Sequence, residues 1–186
     1  MKKTILTIIL AIFAFTAFAQ NDETQVRTPE GYQGFLEYGN TWHVFDKEMP
    51  NNINLSTTHG FYFSNHIFTG IGIGIDFNSD YVLVPIYANM RYVFINNKVV
   101  SPVISLRLGS FIGDRMGAYG DLAFGVRFAS KKDFAVNVMV AGTYYDKISE
   151  TRWIEQYDEN GEYISGYTEI IPLNPSGVSV RIGIEW

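Results

Sequence analysis

The chain has 186 residues, a formal net charge of −5, 47% hydrophobic and 16% aromatic residues, and no cysteine. Without cysteine there is neither a disulfide framework nor a thiolate metal site. An acidic chain is also a poor match for nucleic acid, because neutralising phosphates takes clustered Lys and Arg.

The N-terminus reads as a cleavable signal peptide over residues 1–19. Lys2 and Lys3 precede an apolar stretch from Ile5 to Phe18, and Ala17-Phe18-Ala19 forms a small-x-small cleavage site. The stretch falls short of the ~20 residues of a membrane-spanning helix, which disfavours an uncleaved anchor, and no cysteine follows it to carry a lipid. Cleavage before Gln20 leaves 186 − 19 = 167 residues, with 14 − 2 = 12 bases against 19 acids, a net charge of −7. Residues 20–30, polar and containing Pro29, read as a periplasmic lead-in to one domain over residues 31–186. No later apolar run is long enough for a helical span.

From Gly31 onward the dominant period is two, the signature of strands. Residues 32–39 and about 55–63 open the series, and Phe35 and Phe61 blur the facing of both. Over 67–77, Ile71, Ile73, Ile75 and Phe77 oppose Gly70, Gly72, Gly74 and Asp76. Over 82–94, Val84, Ile86, Ala88, Met90, Tyr92 and Phe94 oppose Tyr87, Asn89 and Arg91, with Pro85 tolerable near a strand start or at a bulge. Residues 103–110 set Ile104, Leu106 and Leu108 against Ser105, Arg107 and Gly109, and 119–128 set Leu122, Phe124, Val126 and Phe128 against Asp121, Ala123, Gly125 and Arg127. In 134–145, Phe134, Val136, Val138 and Val140 oppose Asn137, Met139 and Ala141. The last strand, 178–186, opposes Val178, Val180, Ile182, Ile184 and Trp186 to Ser179, Arg181, Gly183 and Glu185.

These eight strands are joined by tight turns at 64–66, 95–98 and 129–133. On the other side lie longer loops at 40–54, 113–118 and 146–176, with 78–80 a short exception. Transmembrane barrels are built this way, with the short turns in the periplasm. The polar faces collect Glu37, Asp76, Asp121 and Glu185 together with Arg91, Arg107, Arg127 and Arg181, and the strands carry no Lys. A soluble lipocalin-like periplasmic carrier would instead bury its apolar face and expose such charges. Four acids against four bases suit the lumen of an eight-stranded barrel, which is just wide enough for side chains to fill and where charge must be paired. The expectation is a lumen plugged by these charges, with Gly, Ala and Ser making room for Arg and Glu. Tyr32, Tyr92, Phe94, Phe128, Phe134, Tyr144 and Trp186 are expected at the membrane interfaces.

The terminal aromatic Trp186, preceded at every second position by Val178, Val180, Ile182 and Ile184, resembles the C-terminal signature of outer-membrane barrel proteins, which the barrel-assembly machinery recognises. Together with Gly31-Tyr32-Gln33-Gly34-Phe35, residues 70–76 and Val84-Pro85-Ile86-Tyr87-Ala88-Asn89, it makes residues 31–186 resemble the small outer-membrane β-barrel family of the OmpA/OmpX type. The resemblance implies an all-β fold, an eight-stranded antiparallel up-and-down transmembrane β-barrel with both termini in the periplasm of a Gram-negative bacterium. It implies a monomer that meets outer-membrane lipid and lipopolysaccharide, but no single activity.

No catalytic, cofactor or metal site is expected. A lipid-modifying enzyme of the deacylase or acyltransferase kind needs a hydroxyl, a base and an orienter together. Of His43, His59 and His66, only His66 has a Ser two residues away, Ser64, and both fall in a turn, while His59 meets Ser56 or Thr57 only if bent toward them. Asp158-Glu159-Asn160-Gly161-Glu162 is too short for a calcium loop and reads as a hairpin tip. Residues 146–176 hold seven acids and two bases, 2 − 7 = −5. Trp153, Tyr157, Tyr163 and Tyr167 alternate there with polar residues, so strands seven and eight are expected to project as a ribbon, a candidate surface-binding element with an exposed edge.

Overall fold

The computed structural model describes residues 30–44, 50–79, 81–95, 98–113, 116–130, 134–146, 148–157, 163–173 and 175–186. The signal peptide, the lead-in up to residue 29 and the hairpin tip at 158–162 lie outside them. The strands are β1 (Gly31–Trp42), β2 (Asn52–Tyr62), β3 (Ile67–Phe77), β4 (Val82–Val93), β5 (Val100–Ile112), β6 (Gly117–Ala129), β7 (Ala135–Tyr145), β8 (Ile148–Tyr157), β9 (Tyr163–Leu173) and β10 (Gly177–Glu185). Eight of them close a barrel in the order β1-β10-β7-β6-β5-β4-β3-β2, and every neighbour is antiparallel. Chain neighbours pair all the way round except after β7, where β8 and β9 leave the wall as a separate two-stranded sheet before β10 closes it.

All eight expected strands are present, and several run further than their periodicity suggested. β1 continues to Trp42 and β2 begins at Asn52. The loop expected at 113–118 shrinks to 113–116, because β5 and β6 stay paired through Ser110↔Ala118 and Phe111↔Gly117. Gly117 gives space there: a Cβ on it would lie 2.5 Å from the Phe111 ring. The difference in length between the two ends of the barrel therefore rests on residues 43–51 and on the excursion between β7 and β10. At ~3.3 Å per residue and a tilt of ~40°, barrel strands of 9 to 13 residues rise roughly 23–33 Å, which matches an apolar band of ~25 Å.

The alternation faces outward with its apolar set. Ile71 is 73% exposed and Leu108 57%, and Ile73, Ile75, Ile86, Met90, Phe124, Ile182 and Ile184 are exposed with them. A continuous greasy surface of this extent has hydrocarbon as its solvent, and the carrier orientation is the reverse of the one found. β1 and β2 now have a facing: Phe35 points inward with Glu37, while Phe61 points outward with Leu55. The interface aromatics are unevenly shared. Tyr32, Tyr92, Phe94, Phe128, Phe134 and Trp186 are exposed near the end that carries the termini, whereas Tyr144 is joined only by Trp42 and Phe77 among the described exposed aromatics at the loop ends of the barrel strands. Pro85, which has no N–H, sits where the β3–β4 ladder lapses between Ile73↔Ile86 and Asp76↔Leu83, and it still lies opposite Phe111 in β5.

The two larger apolar clusters among the described residues lie inside the barrel. One, toward the termini, includes Phe35, Tyr62, Phe68, Val93, Val103 and Met139. The other, at the loop end, includes Tyr81, Leu83, Tyr87, Phe111, Tyr119 and Tyr145. Glycines on β2 and β3 accommodate these rings. A Cβ on Gly60 or Gly70, which face each other across the strands, would lie 2.8 Å from the Phe68 ring, and one on Gly72 would lie 2.4 Å from the Tyr87 ring.

Candidate functional site

Inward-facing positions place all eight expected charges in the lumen, each at most 5% exposed. Glu37 on β1 receives Arg91 of β4, Nη2 to Oε2 at 2.7 Å, and Arg107 of β5 reaches the same oxygen. Arg181 on β10 donates to Asp121 on β6 at 2.7 Å, and Thr143 donates to the other oxygen of that carboxylate at 3.2 Å. Arg127 holds Glu185. The charges balance, four against four, but the pairing does not: Glu37 takes two guanidinium groups, while Asp76 is hydrogen-bonded to Asn54 and has no ion pair among the described residues. Two of the cations also rest on rings, with the Arg91 guanidinium carbon 3.9 Å from the Phe35 centroid and that of Arg107 4.8 Å from the Tyr87 centroid.

A cavity of about 20 Å³ remains among Glu37, Asp76, Arg107, Tyr145, Ser179 and Arg181, room for about a water molecule. The Tyr145 and Ser179 hydroxyls and the Nε atoms of Arg107 and Arg181 have no hydrogen-bond partner among the described residues. Among those residues no group of three or more His, Asp or Glu is arranged to hold a metal ion.

The ribbon carries the expected surface aromatics, though not on one face. Trp153 lies opposite Thr168 and packs across Gly166, where a Cβ would fall 2.2 Å from its ring. Tyr167 lies opposite Ile154 and so belongs to the other face. Tyr163 is exposed beside a register shift near the tip, and the Tyr157 side chain lies outside what is described.

Of the histidines, His66 gives Nδ1 to the Val93 carbonyl at 2.6 Å, and the Ser64 hydroxyl accepts the backbone N–H groups of His66 and Ile67, so those two side chains form no hydroxyl–imidazole pair. His59 does bend toward Thr57. Its Nε2 is 3.0 Å from Thr57 Oγ1, and its Nδ1 is 2.6 Å from the Tyr32 hydroxyl. This group faces outward, and among the described residues no carboxylate forms part of it.

The crystal structure of Neisserial surface protein A (NspA) is similar to this chain with a TM-score of 0.54, at 13% identity over 83% of this chain and 94% of that one. The fold is that of a closed, eight-stranded antiparallel transmembrane β-barrel. Two further resemblances are a de novo designed transmembrane β-barrel (TM-score 0.46, 12% identity, 87% and 98% of the two chains) and the N-terminal β-barrel domain of Pseudomonas aeruginosa OprF (0.47, 12%, 85% and 99%). No family model matches the sequence, and no curated protein does.

Proposed function

We propose that this is a non-catalytic barrel of the Gram-negative outer membrane with a structural and surface-interaction role, closed to ions through its lumen and meeting partners outside the cell through the β8–β9 ribbon. The ribbon is the observation that carries this reading. It leaves the barrel at the end away from the termini with Trp153, Tyr163, Ile164, Tyr167 and Ile170 exposed, and residues 146–176 hold 2 − 7 = −5 of the charge. A two-stranded ribbon with exposed aromatics and unpaired edges suits a partner that adds a strand, and its acidity selects a basic one.

The outward row Val178, Val180, Ile182 and Ile184 of β10, continued by Trp186 just beyond it, supports recognition by the barrel-assembly machinery and hence residence in the outer membrane, among its lipids and lipopolysaccharide. The lumen is closed because apolar clusters and ion pairs together fill it, one cluster at the loop end and the other level with the Arg127–Glu185 pair, where Phe35 lies opposite Glu185.

Replacing Arg152–Glu169 by Asn-Gly closes the paired Thr151 and Ile170 with a two-residue turn. Proteoliposomes carrying the intact barrel should retain a lysine-rich peptide in a salt-dependent way, and the shortened barrel should stay heat-modifiable on gels but release the peptide. Equal retention by both would remove the ribbon's role.

A further inference from the structure

We infer that the outward-facing group Tyr32, Thr57 and His59 is a seat for one membrane lipid, held by a glycerol-ester carbonyl on the leaflet at the end of the barrel that carries the termini. This goes beyond the ribbon reading and concerns the opposite end of the molecule.

The group interrupts an otherwise apolar outer face. Thr57 and His59 occupy outward positions of β2, two residues apart, and Tyr32 reaches His59 from β1. Aromatic rings wall it in. Tyr32 stacks on His59 with centroids 6.0 Å apart, Phe61 meets Tyr32 edge-on at 5.6 Å, and Trp186 meets His59 edge-on at 6.1 Å. The Trp186 indole lies over Gly34, where a Cβ would fall 2.6 Å from it, so a glycine forms the floor between the walls. Only lipid reaches this face of a membrane barrel.

Hydrogen counting supplies the reason for a ligand. A neutral imidazole has one N–H and one bare nitrogen. With hydroxyls on both sides, one hydroxyl must donate into the ring while the other accepts from it. In either tautomer the accepting hydroxyl keeps a proton that the ring does not use, and neither Thr57 nor Tyr32 has another hydrogen-bond partner among the described residues. An unused O–H donor at the hydrocarbon boundary is costly unless an acceptor meets it. His59 is three residues from the end of β2 at Tyr62, which at ~3.3 Å per residue and ~40° of tilt is roughly 8 Å inside the strand end. Ester carbonyls are the deepest acceptors that a glycerolipid carries, and its phosphate lies further out.

Native mass spectrometry of the full barrel, released from bilayers of diacyl phosphatidylethanolamine, tests the assignment. The wild type should keep one lipid after collisional activation strips the rest. Thr57→Val and Tyr32→Phe, which preserve shape, should each lower the retained fraction about three- to tenfold, the worth of one hydrogen bond, and His59→Phe at least as much. Tyr144→Phe at the other end should leave it unchanged, and heat-modifiability on gels reports that each variant is folded. A dialkyl ether analogue of the same headgroup should be kept as poorly by the wild type as the diester is by Thr57→Val. Retention of the ether lipid at the level of the diester, displacement by excess inorganic phosphate, or folded variants that hold lipid as the wild type does would each overturn the assignment.

Discussion

Arg127 grips Glu185 through two parallel hydrogen bonds, Nε to Oε2 at 2.8 Å and Nη2 to Oε1 at 2.9 Å. The pair joins β6 to the last strand across β7, whose Asn137 adds a third donor to Glu185 Oε2 at 3.4 Å. Forked geometry of this kind is the strong form of an ion pair, and here it sits one residue from Trp186. The inward and outward faces of β10 thus carry different duties, locking the lumen and displaying the apolar row.

Uneven pairing in the lumen makes the carboxylates unequal. Glu37→Gln strands two guanidinium groups, and removing one partner of a buried pair costs about 3–5 kcal/mol. Asp76→Asn breaks no ion pair and should cost about 1 kcal/mol or less, the scale of a single neutral hydrogen bond. Urea unfolding in lipid vesicles, followed by tryptophan fluorescence, should rank Glu37→Gln well below Asp76→Asn; the opposite order would contradict the shared Glu37 site.

Depth should govern the cost of a charge on the outer wall. Ile71 lies near the middle of β3, so Ile71→Arg should destabilise the barrel by about 2–4 kcal/mol, while Phe63→Arg, just beyond the end of β2, should cost about 0–1 kcal/mol. Equal effects in the same unfolding assay would mean that lipid does not cover this surface.

The missing side chain at Gly72 leaves the space that the Tyr87 ring fills, since a Cβ there would lie 2.4 Å from that ring. Gly72→Ala should cost about 1–3 kcal/mol through overpacking, and less in a Tyr87→Leu background. A double-mutant cycle with no coupling between the two sites would show that the ring is not what the extra methyl meets.

Purified monomer in planar bilayers should give no large, stable conductance steps, because apolar and charged layers both occupy the lumen. Discrete openings of wild-type protein would overturn the closed reading.

Much of this was legible in the sequence because a strand has only two faces. Once one polar position of a strand is set inward, parity places the whole strand, and the eight interior charges follow strand by strand. The same parity puts Phe35 with Glu37, Phe68 with Asp76, Phe111 with Arg107 and Tyr119 with Asp121. The aromatic half of the interior was therefore available to counting and was hidden by the expectation that an inward face is polar. Which acid takes which base was not legible, because Glu37 meets Arg91 and Arg107 across the lumen, 54 and 70 residues away in the chain. Nor was the Tyr32–His59 contact, which depends on cross-strand register and side-chain direction.

Glu37 on β1 and Arg107 on β5 stand on opposite sides of the ring, four strands apart whichever way the wall is followed. No sheet that is still open can bring them together. During insertion these cations and anions must stay hydrated until the first and last strands zip, and only then can they exchange water for one another. Completion of the circle, rather than the addition of any single hairpin, is the moment at which the electrostatic reward arrives, so partly assembled forms should be short-lived and the finished one slow to reopen.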